Sequence, residues 1–204
     1  MTRSLVLASA SPRRRQLLAS AGFDARIAES DLDDARVVPG AVRPEELVQA
    51  LSWFKARRVR EARGLADCVL LAADTVCVDG RRVLGKPRDA EHARSMIRDF
   101  RNRAHRTMTG VTLVTADGAR RLFVDVATVS LGHLDDGAID AYVASGAWRG
   151  KAGGYNYAEC EAAGWPLACD GDPTSVMGLP MRRTVPLLAA LGVARRDVPT
   201  GGAA

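Results

Sequence analysis

Between Cys68 and Val78 the chain runs Cys-Val-Leu-Leu-Ala-Ala-Asp-Thr-Val-Cys-Val, an almost unbroken apolar stretch with one charge, Asp74. Such a run, rich in β-branched residues and closed by the turn Asp79-Gly80, reads as a strand. It is far too short to span a membrane. An unpaired buried carboxylate is expensive, so Asp74 needs a metal, a cation or a raised pKa. Whatever the fold, it must bury this strand and answer its acid.

The rest of the chain supplies alternating elements. Ser4–Ser9 reads as a buried strand that stops at Ser-Ala-Ser-Pro. Ser11 suits the N-cap of a following helix, Pro12 its first position and Gly22 its end. Phe23–Ile27 reads as a short strand. Pro44 opens a long helix to about Arg63, with Leu47, Leu51 and Phe54 as its apolar positions and Lys55 on its polar side. Gly85-Lys86-Pro87 is a loop, and Asp89 caps a helix to about Asn102. Val111–Thr115 and Leu122–Leu131 form a hairpin around Asp117-Gly118. A helix over Asp135–Ser145 follows, then loop through Gly146–Pro180, a helix over Met181–Leu191, and a tail that frays from about residue 193. Crossover and hairpin links together predict the α/β class with a mixed sheet, in one large domain or two small ones.

Lysine and arginine total 29 against 24 aspartates and glutamates, a net charge of +5. That raises the prior for a polyanionic partner. Only three of those cations are lysines (Lys55, Lys86 and Lys151), so the arginine excess reads as compositional bias on a solvated surface. Four cysteines without a CxxC pair suggest neither zinc nor redox chemistry. With no export signal, reduced thiols and a cytoplasmic location are expected.

Chemistry gathers in a few segments. A strand running into a helix N-terminus is an anion site, because free N–H groups point at the ligand. Arg13, Arg14 and Arg15 are the wrong sign for that first turn unless something negative sits in front of them. Equally, an arginine-rich helix can splay its charges into water. Asp74 can hold Mg²⁺ or take a proton from an attacking water; as a strand-end residue it can also simply hydrogen-bond a loop. Asp31, Asp33 and Asp34 could add a metal carboxylate, and Lys55 and Lys86 could neutralise phosphate. His105 reads as a structural hydrogen-bonder, and Trp148 and Trp165 as core.

The segments LASASPRRRQLLASAG, ESDLDD, WFKA, AADTVCVDG with LGKP, HRTMTGV, KAGGY and GDPTSVMGLP follow one another as in the Maf family. These septum-formation-related, Maf-like proteins act as nucleoside triphosphate pyrophosphatases, and the resemblance covers about residues 4–192. It implies a single domain over 1–204 with a fold similar to the inosine-triphosphate pyrophosphatase group, a long mixed β-sheet with flanking helices and two lobes around a cleft. It also implies Mg²⁺- or Mn²⁺-dependent cleavage of a nucleoside triphosphate between the α and β phosphates. By the same resemblance Asp74 is the proton acceptor, and Arg13 and Thr75 take part in substrate selection. Ser9, Arg14, Lys55 and Lys86 then line the triphosphate pocket, and Asp34 joins Asp74 at the metal. The ADT and SPRR forms resemble those of the branch acting on dTTP and UTP. No stable nucleic-acid or membrane partner is expected, and a homodimer is compatible with the sequence. The competing readings are a nucleic-acid-binding regulator and a metal-dependent phosphatase.

The chain departs from the family at one point. Where the family has A-G-x-Y-G-I-Q-G, this sequence has Ala152-Gly-Gly-Tyr-Asn-Tyr-Ala-Glu159, with Ala158 at the glutamine position. An amide donates to a base carbonyl and accepts from its N–H, and alanine does neither. Glu159 or Asn156 is left to replace it. A site without the amide leaves no buried polar group unpaired by a wrong base, so discrimination shrinks. Turnover of dTTP or UTP with weak base selectivity is therefore expected, sharpened toward pyrimidines in Ala158→Gln. The measurement is kcat/KM over a panel of triphosphates, and a wild type as selective as glutamine-bearing relatives would overturn the expectation.

Overall fold

The computed structural model describes residues 2–30, 42–63 and 66–196. Seven strands form one mixed sheet in the order β2-β1-β3-β5-β6-β7, with β4 also paired to β3. The strands are β1 (Ser4–Leu7), β2 (Ala25–Ile27), β3 (Cys68–Asp79), β4 (Arg82–Leu84), β5 (Arg103–Thr115), β6 (Arg120–Leu131) and β7 (Leu167–Asp170). The helices are α1 (Pro12–Ser20), α2 (Pro44–Arg63), α3 (Ala90–Phe100), α4 (Asp136–Ser145), α5 (Tyr157–Ala162), α6 (Pro173–Val176) and α7 (Met181–Ala190). β1 pairs in parallel with both β2 and β3, whereas β3, β5 and β6 form a long antiparallel ladder.

β3 is buried on both faces, which is why its sequence is continuously apolar. One face packs on α2 through Val48, Ala56 and Val59 against Leu70, Ala72, Val76 and Val78. The other packs on α1 and α7, with Leu18 and Leu188 against Leu5, Val69, Leu71 and Leu113. Farther along that face α3, α4 and α5 close over Cys77, Val129 and Leu131.

Helix boundaries follow their signals. The Ser11 side chain accepts from Arg14 N–H, and the Asp89 and Asp135 carboxylates cap α3 and α4. Four expectations need correction. β5 begins at Arg103 rather than Val111, because the inward residues that precede Met108 are His105 and Thr107, not apolar ones. The stretch Gly146–Pro180, expected as loop, holds α5, β7 and α6. Residues 193–196, expected to fray, are tied down: Val193 bridges Arg3, and Arg196 N–H donates to the Gly22 carbonyl at 2.8 Å. On α2, Phe54 is exposed (41%) and Lys55 is buried (9%), the reverse of the expected faces.

Surface arginines pair as a solvated shell would, Arg94 with Glu91 and Asp140, Arg98 and Arg101 with Asp136. Over Arg120–Ala127 the outer edge of β6 carries no strand among the described residues. There Arg183 of α7 donates to the Val124 carbonyl at 3.0 Å and lies over the Phe123 ring at 4.2 Å. Among the described residues no helix is long and apolar enough to cross a membrane. All four cysteines are free thiols.

His105 is structural, as expected. Its ring stacks on Phe100 at 3.9 Å, Nε2 lies 2.9 Å from the Tyr155 hydroxyl, and Nδ1 has no partner. Trp148 is a buried core residue that donates to the Val143 carbonyl, and Trp165, half-buried, stacks on the same Tyr155 at the margin of that core. Burial pushes the His105 pKa down to about 4. Because the unfolded imidazole titrates near 6.5, its contribution to stability is complete above that pH and lost as pH falls toward 4. The full loss is about 3 kcal/mol. Urea unfolding from pH 7.5 to 4.5 should show this decline, and His105→Gln should flatten it. An unchanged slope in that variant would contradict the assignment.

Candidate active site

The site forms where the sheet is interrupted. β1 pairs with β3 over Cys68–Leu71, and the Ala8 N–H reaches the Leu71 carbonyl at 2.8 Å. Beyond it, Ser9-Ala-Ser-Pro12 turns the chain into α1, since Pro12 cannot donate to a ladder and its fixed φ suits a first helical turn. β4 takes up the same edge only at Cys77–Asp79. Among the described residues, no strand covers Ala72–Val76 on that side, whereas β5 pairs the other side throughout. Asp74 and Thr75 sit in the middle of this gap, and strand alternation points their side chains to opposite faces.

Asp74 faces α2. Its Oδ1 receives Lys55 Nζ at 2.5 Å, with Asp74 6% and Lys55 9% exposed. Two charges this buried forgo much hydration, and removing either partner typically costs about 3–5 kcal/mol. Lys55 belongs to the inward stripe Val48, Leu51, Ser52, Lys55, Val59 because this acid waits beneath it. The helix reaches that depth because Gly110, paired with Asp74 across the ladder, has no side chain. A Cβ there would lie 2.3 Å from the Val48 carbonyl oxygen. Glycine inside a strand signals such close approach, and that signal was available in HRTMTGV.

Thr75 faces the other way, toward Arg14. The Arg14 guanidinium donates through Nε to the Gly178 carbonyl at 2.7 Å. Through its two terminal nitrogens it reaches Ser9 Oγ and Thr75 Oγ1, each at 3.1 Å. Gly178 has φ of 104°, and a Cβ on it would come within 3.3 Å of Arg14 Nε. Thr75 Oγ1 lies 2.9 Å from Thr109 Oγ1, which donates to the Ser175 carbonyl at 2.9 Å. Neither Thr109 nor Gly178 stands out in the sequence. Arg13 is half-buried and Arg15 exposed, so the three consecutive arginines are not equivalent.

The structure thus brings Ser9, Arg14 and Thr75 together on one face and Lys55 and Asp74 on the other. It does not bring Lys86 or Glu159 into hydrogen bonds or ion pairs with them. Lys86 is exposed on its loop, which is held by Gly153 N–H donating to the Gly85 carbonyl at 3.2 Å. Glu159 is exposed on α5, Ala158 half-buried, and Asn156 buried with its Oδ1 unpartnered. Lys151 folds back onto the Ala147 carbonyl. Asp34, with Asp31 and Asp33, lies outside the described residues.

The chain is 40% identical over 197 residues to the dTTP/UTP pyrophosphatase of Rhizobium meliloti, covering 94% of each chain. It is 41% identical over 189 residues to that of Salinibacter ruber, covering 91% of this chain and 90% of the other. Among solved structures, a HAM1 protein from Coxiella burnetii overlays 64% of this chain and 73% of its own, with a TM-score of 0.41 and 16% identity. At that score the overlay carries no argument, and the assignment rests on sequence. The family model for Maf-like proteins matches residues 4–191, nearly the whole described chain, and the protein belongs to that family.

Proposed function

We propose that this protein is a metal-dependent nucleoside triphosphate pyrophosphatase. It cleaves between the α and β phosphates, acts on dTTP and UTP, and releases a nucleoside monophosphate and pyrophosphate. The observation that carries the reading is the edge of β3 over Ala72–Val76, without a partner strand among the described residues, with a buried acid on one face and an anchored arginine on the other. Its relatives' activity on dTTP and UTP supports the choice of substrate. In this reading Asp74 accepts the proton of the attacking water. Lys55 holds its carboxylate in place, and Ser9, Arg13 and Arg14 meet the phosphates. Lys86 approaches from its loop. Four free thiols suit a reducing cytoplasmic compartment.

The donor chemistry fits a divalent cation. Asp74 offers the hard carboxylate oxygen that Mg²⁺ and Mn²⁺ take, and Mg²⁺ commonly uses one or two carboxylates with substrate phosphates rather than an all-protein cage. Asp74 and Asp34 would hold the ion, whose bound charge offsets that of the phosphate oxygens.

Two measurements test the reading. Asp74→Asn, close in shape, should abolish pyrophosphate release from dTTP and UTP while the circular dichroism spectrum stays native. Near-normal turnover would refute Asp74 as the base. Arg14→Ala should lower kcat/KM about tenfold to a hundredfold, in line with the 1.5–3 kcal/mol of a charge-assisted hydrogen bond. Arg15→Ala, at an exposed position, should stay within about twofold. Equal small effects at both would favour a merely solvated arginine turn, and orthophosphate as product would identify a phosphatase.

A further inference from the structure

Hydroxyl groups have one hydrogen to give, and this fixes a direction along the chain of contacts beside Arg14. Thr109 Oγ1 gives its hydrogen to the Ser175 carbonyl, so in its 2.9 Å contact with Thr75 it accepts. Thr75 therefore donates to Thr109 and accepts from Arg14. The hydrogen bonds close into a ring. Arg14 gives to Thr75, Thr75 to Thr109 and Thr109 to the Ser175 carbonyl. The Gly178 N–H gives to that same carbonyl at 3.0 Å, and the Gly178 carbonyl receives Arg14 Nε. Thr109 is fully buried in β5, directly across the ladder from Thr75.

We propose that Thr109 is a positioning residue that sets the Arg14 guanidinium for the triphosphate, acting through Thr75 on one side and the Ser175–Gly178 turn on the other. Thr75 then contributes to substrate handling through Arg14, because its own hydrogen is directed away to Thr109. The ring fixes the guanidinium plane before substrate arrives, and binding need not order it. This rests on the reading of Arg14 as a phosphate-binding residue.

Thr109→Val keeps the side-chain shape and removes the hydroxyl, whereas Thr109→Ser keeps the hydroxyl. Pyrophosphate release from dTTP should show KM raised about tenfold in the valine variant with kcat within about threefold, and the serine variant near wild type. In an Arg14→Ala background, Thr109→Val should add less than a twofold change, since contacting partners of one network do not act independently. A second readout needs no turnover. The Arg14 Nε–H resonance, assigned by its absence in Arg14→Ala, should exchange with water at least tenfold faster in Thr109→Val than in wild type or Thr109→Ser. Multiplying effects in the double variant would overturn the proposal, as would unchanged exchange in a folded valine variant. A wild type that releases no pyrophosphate from any triphosphate defeats the pyrophosphatase reading instead, and the exchange measurement still decides the role of Thr109.

Discussion

A buried ammonium held against a buried carboxylate, Lys55 on Asp74, is the constraint around which the centre of this molecule is arranged. Neither charge is tolerable there alone, and each justifies the other's burial. The contact demands that a helix lie unusually low over the sheet, and Gly110 grants that depth by leaving room for the Val48 carbonyl. Pro12 and the late arrival of β4 leave Ala72–Val76 without a partner strand on one side among the described residues.

Two adjacent cross-strand pairs then divide the work between the faces. Asp74 stands opposite Gly110, and Thr75 opposite Thr109. On the first pair one partner is charged and the other absent, so a lysine can enter. On the second both partners carry hydroxyls, so a hydrogen-bond chain can run from Arg14 into the backbone of α6. The dipeptides Asp74-Thr75 and Thr109-Gly110 are thus one feature seen from two strands. Two successive positions of one ladder thus serve an ion-paired face and a hydrogen-bonding face at once.

Much of this was legible in the sequence because single residues with strong local preferences marked it. Pro12 and Ser11 started α1, Asp89 and Asp135 started α3 and α4, and the apolar run of β3 declared its own burial. Lys55 was misplaced because local periodicity ranks Phe54 as the inward residue, and only the distant Asp74 reverses that order. The start of β5 was missed for a related reason, since its inward positions are His105 and Thr107. β7 escaped notice because it is a four-residue strand alternating half-buried and exposed at the sheet margin. The ring at Arg14 joins residues as far apart as 164 positions, a separation no spacing rule reaches.

The guard on the edge of β6 has a consequence for how the chain is made. Leu122 and Val126 are exposed along a strand whose outer backbone groups could recruit another copy of the polypeptide. Arg183 occupies the Val124 carbonyl and covers Phe123, but it stands 59 residues later in the chain. During synthesis from the N-terminus, β6 leaves the ribosome well before its guard exists. For that interval the nascent chain holds this edge with no guanidinium across it, and an unguarded edge is prone to pair with a neighbouring chain.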